Sequence, residues 1–440
     1  MDENFLSVTL DSEKCKGCIN CLKHCPTQAI RVRDGKALIL KDRCIDCGEC
    51  IRMCQNHAKS AVYDPLSVLS RYKYTVALPA PSLYGQFANM EDVEIILNGL
   101  LRIGFDDVFE VAKAAEVVSH CTRELVESGK PVRPIISSAC PVVVRLIRIR
   151  YPELLSHLLP LGAPVDVAAK LAEDRALKLT GLSREDIGIV FITPCAAKVS
   201  AIKEPCARQK SSVDAVVAIK DVYPRLLGAM REVCAGKDRK ELALSGNLGI
   251  SWCGTGGEAS ALFGDNYLAA DGIRGIVSVL EDLEDEKITN IDFIELNACN
   301  GGCVGGILTV ENPYLALARI KKLKKTMPPF RNDDAAHSEA NVRHWDSPIR
   351  YDPALALDSD PERALEKLRE LHRILDLLPG LDCGSCGAPT CAALAEDVVC
   401  GTAKSTDCIF RMRDYVHNLV REMPELDEYI PPPFRDPGNR

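Results

Sequence analysis

The sequence lacks three features that would place it in common classes of protein. No run of about 18 apolar residues is present, so no segment is predicted to span a membrane. The N-terminus, Met1–Asn4, is acidic and lacks the apolar region of a secretory signal. The 62 acidic residues outnumber the 54 Lys and Arg residues, and the net charge of -8 argues against nucleic acid as the main partner. We therefore expect a cytoplasmic protein.

Cysteine, by contrast, is abundant, with 21 residues in a chain of 440. They concentrate before residue 55 and between residues 383 and 408, and the others are spread through the middle of the chain. A reducing cytosol disfavours disulfides, so this usage indicates metal ligation or redox chemistry. The apolar fraction of 47% is typical of folded domains, and the length allows about two to four of them.

The first cysteines form two runs with the spacing C-x2-C-x2-C-x3-C. Residues 5–62 resemble a bacterial two-cluster 4Fe-4S ferredoxin domain, in which the fourth cysteine of each run binds the other cluster. Zinc ribbons also use C-x2-C pairs, but two tandem runs of four cysteines favour iron-sulfur. Asp34-Gly35 is predicted to turn a hairpin between the runs. The resemblance implies one cluster on Cys15, Cys18, Cys21 and Cys54, and a second on Cys44, Cys47, Cys50 and Cys25.

In the middle of the chain, short apolar runs alternate with helix-like stretches. This alternation predicts an α/β fold with parallel sheets flanked by helices. Ligands of such sheets gather where strands end and helices begin. The predicted strands are Thr75–Leu78, Asp107–Val111, Pro134–Ser137, Ile187–Ile192, Ala215–Ala218 and Asp292–Leu296. The predicted helices are Asn89–Arg102, Glu116–Ser128, Val142–Arg150, Pro164–Leu177 and Val222–Val233.

Three cysteine motifs follow predicted strands. They occupy Ile136–Pro141, Thr193–Lys198 and Asn297–Gly306. Glycines in the third motif would allow the backbone to approach a bulky ligand. We expect four thiols to converge on one buried iron-sulfur centre, although four unrelated core cysteines are the alternative, since free cysteine is often buried. The four are Cys140, Cys195, Cys299 and Cys303.

The three motifs, in this order behind a ferredoxin module, resemble the signatures of the iron-only (FeFe) hydrogenase catalytic domain. The resemblance covers residues 72–318 and extends to Gly104–Val108, Gly254–Gly257, Glu258 and Glu295. It implies a domain of two lobes in which the four cysteines bind the cubane of the H-cluster. Cys303 would also bridge to a diiron unit with carbonyl, cyanide and amine dithiolate ligands. Lys198 would hydrogen-bond a cyanide beside Pro194, and the reaction would be reversible cleavage of dihydrogen.

The chain departs from typical members of that family around the implied diiron unit. It has Ala139 where they have a second cysteine that relays a proton, and alanine has no proton to transfer. Thr193 and Asn297 stand where they have methionine. Cys121 and Glu124 lie where they have a proton-transferring acidic helix, so Cys121 is a candidate substitute relay, although a single helix cysteine is more often packing. With Ala139 the chain resembles sensory members of the family, and slow turnover is expected.

The C-terminal part begins with a shift in composition. Residues 331–360 are poor in apolar residues and predict a linker. Asp360-Pro361 then predicts the start of a helix, because an acidic cap precedes a proline in the first turn. The residues expected to form its apolar face are Leu365, Leu368, Leu371, Leu375 and Leu378.

The last cysteines resemble those of the small 4Fe-4S domain found in corrinoid iron-sulfur proteins. The resemblance covers residues 365–412 and implies the ligands Cys383, Cys386, Cys391 and Cys408, with Cys400 as an alternative fourth ligand and zinc as an alternative metal. The predicted domains are a ferredoxin domain at 1–65, the hydrogenase domain at 66–330, a linker at 331–360, and a mostly helical cluster domain with a helical tail at 361–440.

These features together predict a hydrogen-responsive iron-sulfur protein that oxidises or produces H2 slowly and has a sensory role. Its cofactors would be the H-cluster and three accessory 4Fe-4S clusters. Its partners would be H2 and protons, a redox partner such as ferredoxin, hydrogenase maturation proteins and a signalling partner. The alternatives are a non-catalytic cluster-assembly scaffold and an ordinary bidirectional hydrogenase that uses Cys121 or Glu124. The cysteines assigned to packing are Cys121, Cys206, Cys234, Cys253 and Cys400.

Overall fold

The computed structural model describes residues 5–88, 92–206, 211–236, 238–329, 345 and 347–420. Residues 331–344 of the predicted linker and the predicted tail after residue 420 lie outside this set. The chain forms two compact units. The first comprises Met1–Thr9, Ile45–Gly48 and Ala61–Asp352, and the second comprises Leu10–Cys44, Glu49–Ser60 and Pro353–Arg440. No helix within the described residues is both long and apolar enough to cross a membrane.

The N-terminal region is built from short elements. The predicted hairpin is confirmed: its two strands pair antiparallel, with Arg33 opposite Lys36. Asp34 and Gly35 between them have φ of 51° and 71°, and both values are positive, as a type I′ turn requires. The elements are β1 (Val8–Leu10), α1 (Asn20–Lys23), β2 (Ile30–Arg33), β3 (Lys36–Ile39), α2 (Glu49–Arg52) and β4 (Lys59–Ala61).

The middle of the chain forms an α/β domain, as its alternating pattern predicts. Its strands are β5 (Tyr74–Pro79), β6 (Asp107–Val108), β7 (Ile135–Ile136), β8 (Ile187–Thr193), β9 (Ala215–Ala218), β10 (Tyr267–Asp271) and β11 (Phe293–Asn297). Its longer helices are α3 (Val93–Arg102), α4 (Val111–Ser128), α5 (Pro141–Arg150), α6 (Pro164–Thr180), α7 (Ala196–Lys203) and α8 (Ile219–Ala235). The remaining helices are α9 (Asn247–Ser251), α10 (Gly257–Ser260), α11 (Ile273–Glu284) and α12 (Pro313–Lys324).

Four of these strands form a parallel sheet in the order β6-β5-β8-β9. Successive residues of β8 enter two different cores: Val190 and Ile192 pack with α3 and α8, whereas Ile189 and Phe191 pack with α6. All seven residues of β8 are buried, which is the pattern of a parallel strand covered by helices on both faces. Burial of each such aliphatic side chain stabilises the fold by roughly 2 kcal/mol.

The other three strands form a second parallel sheet in the order β10-β11-β7. Its edge strand β10 is absent from the sequence-based prediction, because Tyr267–Asp271 contains alanine and a carboxylate where β-branched residues would mark a strand. Asp271 instead accepts hydrogen bonds from Thr255 Oγ1 (2.8 Å) and the Gly301 N–H (2.9 Å). The predicted strand at Asp107–Val111 is also shorter than expected, since Val111 begins α4.

The C-terminal region contains α13 (Pro361–Asp376), α14 (Cys391–Val399) and α15 (Ile409–Val420). The predicted start of α13 is confirmed, because the Asp360 side chain accepts the Glu362 N–H at 3.0 Å. The predicted apolar face is wrong in part. Leu365 and Leu368 are exposed, whereas Ile374 and Leu378 are buried against α14. The described residues between 347 and 360 carry no helix or strand, and the linker bounds stay a prediction.

Candidate functional site

Two of the predicted ligands cap helices at the ends of buried strands. Cys140 is the N-cap of α5 and follows β7, with Pro141 in the first helical turn. Cys195 is the N-cap of α7 and follows β8. The Cys140 thiol lies near the N–H groups of Ala298, which follows β11, and of Val143. Because β7 and β11 belong to the second sheet and β8 to the first, the candidate site lies where the two sheets of this unit meet.

The thiols of Cys140, Cys195 and Cys303 converge around Lys198. Lys198 Nζ donates to Cys303 Sγ at 3.5 Å. Burial disfavours the charged form of Lys198, yet the thiols of Cys303, Cys195 and Cys140 together raise its pKa above the ordinary value. Burial raises the pKa of Cys195 to about 11, with Lys198 opposing the shift and Cys140 adding to it. These mutual effects place three thiols and one ammonium group in a single site.

Glycines allow the third cysteine motif, Asn297–Gly306, to pack closely against the second, Thr193–Lys198. A Cβ atom at Gly306 would lie 2.2 Å from the Pro194 carbonyl oxygen, and one at Gly302 would lie 2.8 Å from the Thr255 nitrogen. Gly302 also has a φ of 87°, a conformation that side chains disfavour. Cys299 lies two residues after β11, and its carbonyl accepts the Gly302 N–H at 3.0 Å. The glycines therefore let the turn that carries Cys299 and Cys303 pack closely on its neighbours.

A cavity of about 50 Å³ adjoins Cys303 and Lys198. Ala139, Pro194 and Asn297 also line it, so three further positions singled out by the sequence face one space. At position 139 the wall offers only a methyl group. A second cavity, of about 110 Å³, shares four lining residues with the first. These are Ala139, Ala163, Val165 and Lys198.

A carboxylate pair in the cavity wall is absent from the predicted site residues. Ser137 Oγ donates to Glu258 Oε2 at 2.6 Å and accepts the Ala139 N–H at 3.2 Å. Glu258 Oε1 is buried without a hydrogen-bond partner. Glu295 accepts N–H groups of Gly256 and Ala259, and the amide of Asn297 at 2.7 Å.

The environments of the two carboxyls make them differ in charge. Burial, and then the neighbouring Glu295, raise the pKa of Glu258 to about 8, against the lowering effects of Ser137 and Lys198. Burial also raises the pKa of Glu295, but its four hydrogen-bond donors, which include the Glu258 N–H, favour the ionised form. The protonated form is therefore favoured for Glu258, which has fewer hydrogen-bond donors to stabilise its charge. Both residues belong to the motifs that resemble hydrogenase signatures, and that was the signal available in the sequence.

The other predicted residues near the diiron position differ in where their side chains lie. Thr193 is buried, and its hydroxyl bonds within its own turn, accepting the Cys195 N–H at 3.2 Å. Thr193 does not contribute to the lining of the small cavity. Cys253, which the sequence assigned to packing, does line it and is 1% exposed. Burial raises the pKa of the Cys253 thiol strongly.

The two candidate substitute relays on α4 lie away from the cavity lining. Cys121 is buried in an apolar cluster with Val117, Ile135 and Phe293. Glu124 is partly exposed and pairs with His120 at 3.3 Å. Neither residue lines either cavity. Helix α4 therefore offers no carboxylate or thiol to the cavity walls at these two positions.

Several of the ferredoxin-type thiols lie close to one another, and their crossed assignment to two clusters stays a prediction. Burial raises the pKa of Cys21, and the thiols of Cys18, Cys54 and Cys15 raise it further against the effect of Lys59. Burial likewise raises the pKa of Cys50 to about 12, with Cys25 among its neighbours. Backbone N–H groups donate to three of the sulfurs, which is a common way to tune cluster potentials. The pairs are Ala37 to Cys15 (3.4 Å), Ala29 to Cys25 (3.2 Å) and Ala58 to Cys54 (3.2 Å).

The C-terminal thiols favour Cys408 over Cys400 as the fourth ligand. Burial raises the pKa of Cys386, and the thiols of Cys383 and Cys408 act in the same direction. Cys391 packs in the same cluster as Cys386 and Cys408. Cys400 is exposed and has Lys367, Glu396 and Arg43 as its charged neighbours. The assignment of leftover cysteines to packing is wrong for three of them, since Cys206, Cys234 and Cys400 are exposed.

The donor sets fit iron-sulfur clusters in chemical type. Each is made of cysteine thiols from turns and short helices or helix ends, with backbone N–H groups or a cation near some of them to balance thiolate charge. Among the described residues, no three His, Cys, Asp or Glu side chains are grouped tightly enough for one metal ion. A single tetrahedral zinc would need thiolates about 3.8 Å apart, given Zn–S bonds of about 2.3 Å. A cubane is larger, because each thiolate binds a different iron.

Three family models match the chain. Residues 73–263 and 258–307 match the model "Iron only hydrogenase large subunit, C-terminal domain". Together these two segments cover more than half of the chain. Residues 7–55 match a 4Fe-4S dicluster domain, and residues 378–410 match an Fe-S cluster domain. The last match includes all four predicted C-terminal ligands.

Curated relatives include Iron hydrogenase 1 of Clostridium pasteurianum, 24% identical over 398 residues, which are 74% of this chain and 69% of that protein. The NADP-reducing hydrogenase subunit HndD of Solidesulfovibrio fructosivorans is 24% identical over 380 residues, 68% of this chain and 64% of that protein. Among solved structures, a variant of FeFe-hydrogenase HydA1 from Chlamydomonas reinhardtii matches with a TM-score of 0.42 and 16% identity. That match covers 64% of this chain and 88% of HydA1.

The match across both sheets and all three cysteine motifs shows what the fold and the converging thiols indicate. The chain belongs to the iron-only hydrogenase large-subunit family, and it carries additional iron-sulfur domains at both ends.

Proposed function

We propose that this protein is a hydrogen-responsive hydrogenase with slow turnover, whose redox state is read by a partner. One observation carries the proposal: Lys198 and Cys303 line the small cavity, and position 139 adds only the methyl group of Ala139, where the family resemblance implies a proton donor. Loss of general acid-base assistance costs about 10²- to 10⁴-fold in rate. A site built this way binds its cofactor and reacts slowly.

In the proposal, Cys140, Cys195, Cys299 and Cys303 hold the cubane of an H-cluster. Cys303 also bridges to the diiron unit, and Lys198 and Pro194 lie beside it. When bound, the H-cluster supplies the chemistry that splits dihydrogen into protons and electrons. The raised pKa of Lys198 supports its part, because an ammonium group kept charged in a buried site suits an anionic cyanide ligand.

Glu258 is the group that we propose exchanges protons with the cavity. It lines the cavity, its Oε1 has no partner, and it is joined to the Ala139 turn through Ser137. A carboxyl with a pKa of about 8 can both donate and accept a proton near neutral pH. The positions of Cys121 and Glu124 do not support an ordinary bidirectional hydrogenase that relies on them.

Electrons would leave through three accessory 4Fe-4S clusters, two in the ferredoxin-type region and one in the C-terminal region. The two cluster-domain matches support this route, and the similarity to the subunit HndD supports an electron-transferring partner such as ferredoxin. Hydrogenase maturation proteins would install the diiron unit. A signalling partner and a cytoplasmic location complete the proposal.

The competing function is a cluster-assembly scaffold that keeps the cubane and lacks the diiron unit. The cavity beside Cys303 disfavours it, because a cubane scaffold needs neither that space nor a charged lysine next to it. Iron analysis after maturation separates the two functions, since the scaffold would never gain the additional irons of the diiron unit.

Turnover of an Ala139→Cys variant tests the proposal. The thiol would restore a proton donor at this turn, and H2 production by the loaded protein should rise about 100-fold. Ala163→Cys is the matched control, because it adds a thiol to a different wall of the same two cavities and should leave turnover low. A native protein already as fast as the Ala139→Cys variant would contradict the proposal.

A further inference from the structure

A group of buried and partly buried charges lies inside the second compact unit. Arg31, on the hairpin strand β2, donates from Nε to both oxygens of Asp397, at 3.0 and 2.7 Å. Arg33 donates to the same carboxylate at 2.6 Å. Arg43 donates from both terminal nitrogens to Glu396, from NH1 at 2.8 Å. We call these five residues the arginine–carboxylate clamp. It joins the ferredoxin-type region to α14 of the C-terminal region.

The clamp has the properties of a permanent contact. Arg31 and Asp397 are only 3% and 7% exposed. Charges removed from water stabilise a contact only when hydrogen bonds replace their hydration, and paired guanidinium–carboxylate bonds do this best. If the C-terminal region detached, these groups would lose their paired hydrogen bonds, and rebinding would require removing the charges from water again. The burial therefore indicates that the two regions stay together.

Close contacts continue from the clamp to the loops that carry cluster ligands. The Val32 N–H donates to the Gly387 carbonyl at 2.8 Å, and Arg33 donates to the Cys386 carbonyl at 3.1 Å. A Cβ at Gly387, whose φ is 79°, would lie 2.0 Å from the Val32 oxygen, so only glycine allows this approach. Cys386 is a proposed ligand of the C-terminal cluster. Its loop thus lies directly on the hairpin.

The same loop also contacts α1, which carries a ligand of the first ferredoxin-type cluster. Lys23 Nζ donates to the Pro389 carbonyl at 2.9 Å. A Cβ at Gly384 would lie 3.0 Å from Lys23 Cε and 3.4 Å from Leu22 Cδ2. Leu22 follows the proposed ligand Cys21 in α1. The ligand loop of one cluster is therefore hydrogen-bonded to the ligand helix of another, with no room for a side chain at Gly384 between them.

We infer that electrons pass directly between the C-terminal cluster and the cluster held by Cys15, Cys18, Cys21 and Cys54. The arginine–carboxylate clamp holds these two clusters close enough for that transfer. The inference rests on the cluster ligands of the proposed function, but not on its hydrogen chemistry. In each transfer one electron leaves the reduced cluster and enters the oxidised one, and no bond to the protein forms or breaks. H2 oxidation or a low-potential ferredoxin would supply the electrons.

Magnetic resonance of the full chain tests this inference. The protein carries its 4Fe-4S clusters, lacks the diiron unit, and is reduced with dithionite, so that failure of the hydrogen chemistry cannot affect the result. Reduced clusters in contact split each other's electron paramagnetic resonance signals. We expect a spin–spin interaction that disappears from the spectrum when Cys408→Ser removes the C-terminal cluster. A C-terminal cluster that gives an isolated signal in the native protein would overturn the inference.

Variants of the clamp test whether the clamp holds the two clusters together, while the C-terminal cluster itself stays in place. Asp397→Ala removes the acceptor of two arginines, and the part of the spin–spin interaction that Cys408→Ser removes should be lost while iron content stays unchanged. Gly387→Val, which forces the loop off the hairpin, should have the same effect if the first variant fails to fold. Glu370→Ala is the matched control, because Glu370 pairs only locally with the exposed Arg373 on α13. An interaction that survives both clamp variants would show that the clamp does not hold the clusters together.

Discussion

Two parts of the small cavity's lining differ in chemical character. One part consists of Cys303 and the charged Lys198, in contact at 3.5 Å. The other is the turn after β7, which carries Ala139 with no ionisable side chain and is joined through Ser137 to Glu258, whose pKa is raised to about 8. The difference teaches that holding a metal cofactor and delivering protons to it are separate tasks. In the proposed function, the first part of the lining holds the cofactor and the second limits the delivery of protons to it.

Replacing the Glu258 carboxyl should produce the largest loss. Glu258→Gln keeps the shape of the side chain and its contact with Ser137 but cannot exchange a proton. Hydrogen turnover of the loaded protein should fall by about 100-fold, and the inflection in its pH profile near the pKa of Glu258, about 8, should vanish.

The matched control for this loss is Glu116→Gln. Glu116 is also a buried carboxyl with a pKa raised by burial, but it accepts the Gly246 N–H and does not line the small cavity. Its variant should keep native turnover. Equal losses in the two variants would assign the effect to disturbed packing instead of proton exchange.

Replacing the Lys198 cation should reduce cofactor retention. Lys198→Ala removes the ammonium group beside Cys303, and such changes near a metal site typically cost about 10- to 100-fold in affinity or activity. Iron content and infrared absorption should show that the diiron unit is lost while the cubane remains. Lys203→Ala on the same helix is the control, since Lys203 pairs with Asp64 at 3.0 Å outside the cavity. Full retention of the diiron unit in Lys198→Ala would contradict the proposed role of Lys198 in holding the cofactor.

The raised pKa of Glu258 should also make the free energy of unfolding depend on pH. Its pKa is about 8 in the folded protein, against 4.5 for an ordinary glutamate. Between these values the folded state holds a proton that the unfolded chain has released, so stability should fall as pH rises, by about 1 kcal/mol per pH unit. Unfolding midpoints across this window should fall less steeply for Glu258→Gln. A native protein that gains stability over the same window would contradict the assignment.

The smallest effect is expected on α4. Cys121→Ala removes a thiol from an apolar cluster and should lower the free energy of unfolding by about 1 kcal/mol, with turnover unchanged. Glu124→Gln should change neither, because the side chain is partly exposed and pairs with His120. A large fall in turnover for either variant would indicate that protons are transferred through this helix.

The sequence predicted those parts of the site that depend on local pattern. Cys140 and Cys195 follow buried strands and cap helices, and both strand and helix show their own periodicity. The Ser137–Glu258 contact was not predictable in this way, since it joins residues 121 positions apart and depends on how β7 packs on α10. The exposure of Leu365 and Leu368 was missed for a similar reason, because helix periodicity does not say how much of an apolar face a small domain can cover.

The arginine–carboxylate clamp could not be predicted from the sequence either. Arg31 and Arg33 are ordinary hairpin residues by pattern, and Glu396 and Asp397 match a conventional polar helix face. Only the structure brings them together across more than 350 positions of the chain.

Infrared spectroscopy of the native, fully maturated protein tests the central claim most directly. If the cavity holds a hydrogenase diiron unit that responds to its gas, carbonyl and cyanide bands will be present, and they will shift when argon is replaced by H2. A protein with full cubane content that shows no such bands, or bands that H2 leaves unchanged, would contradict the account.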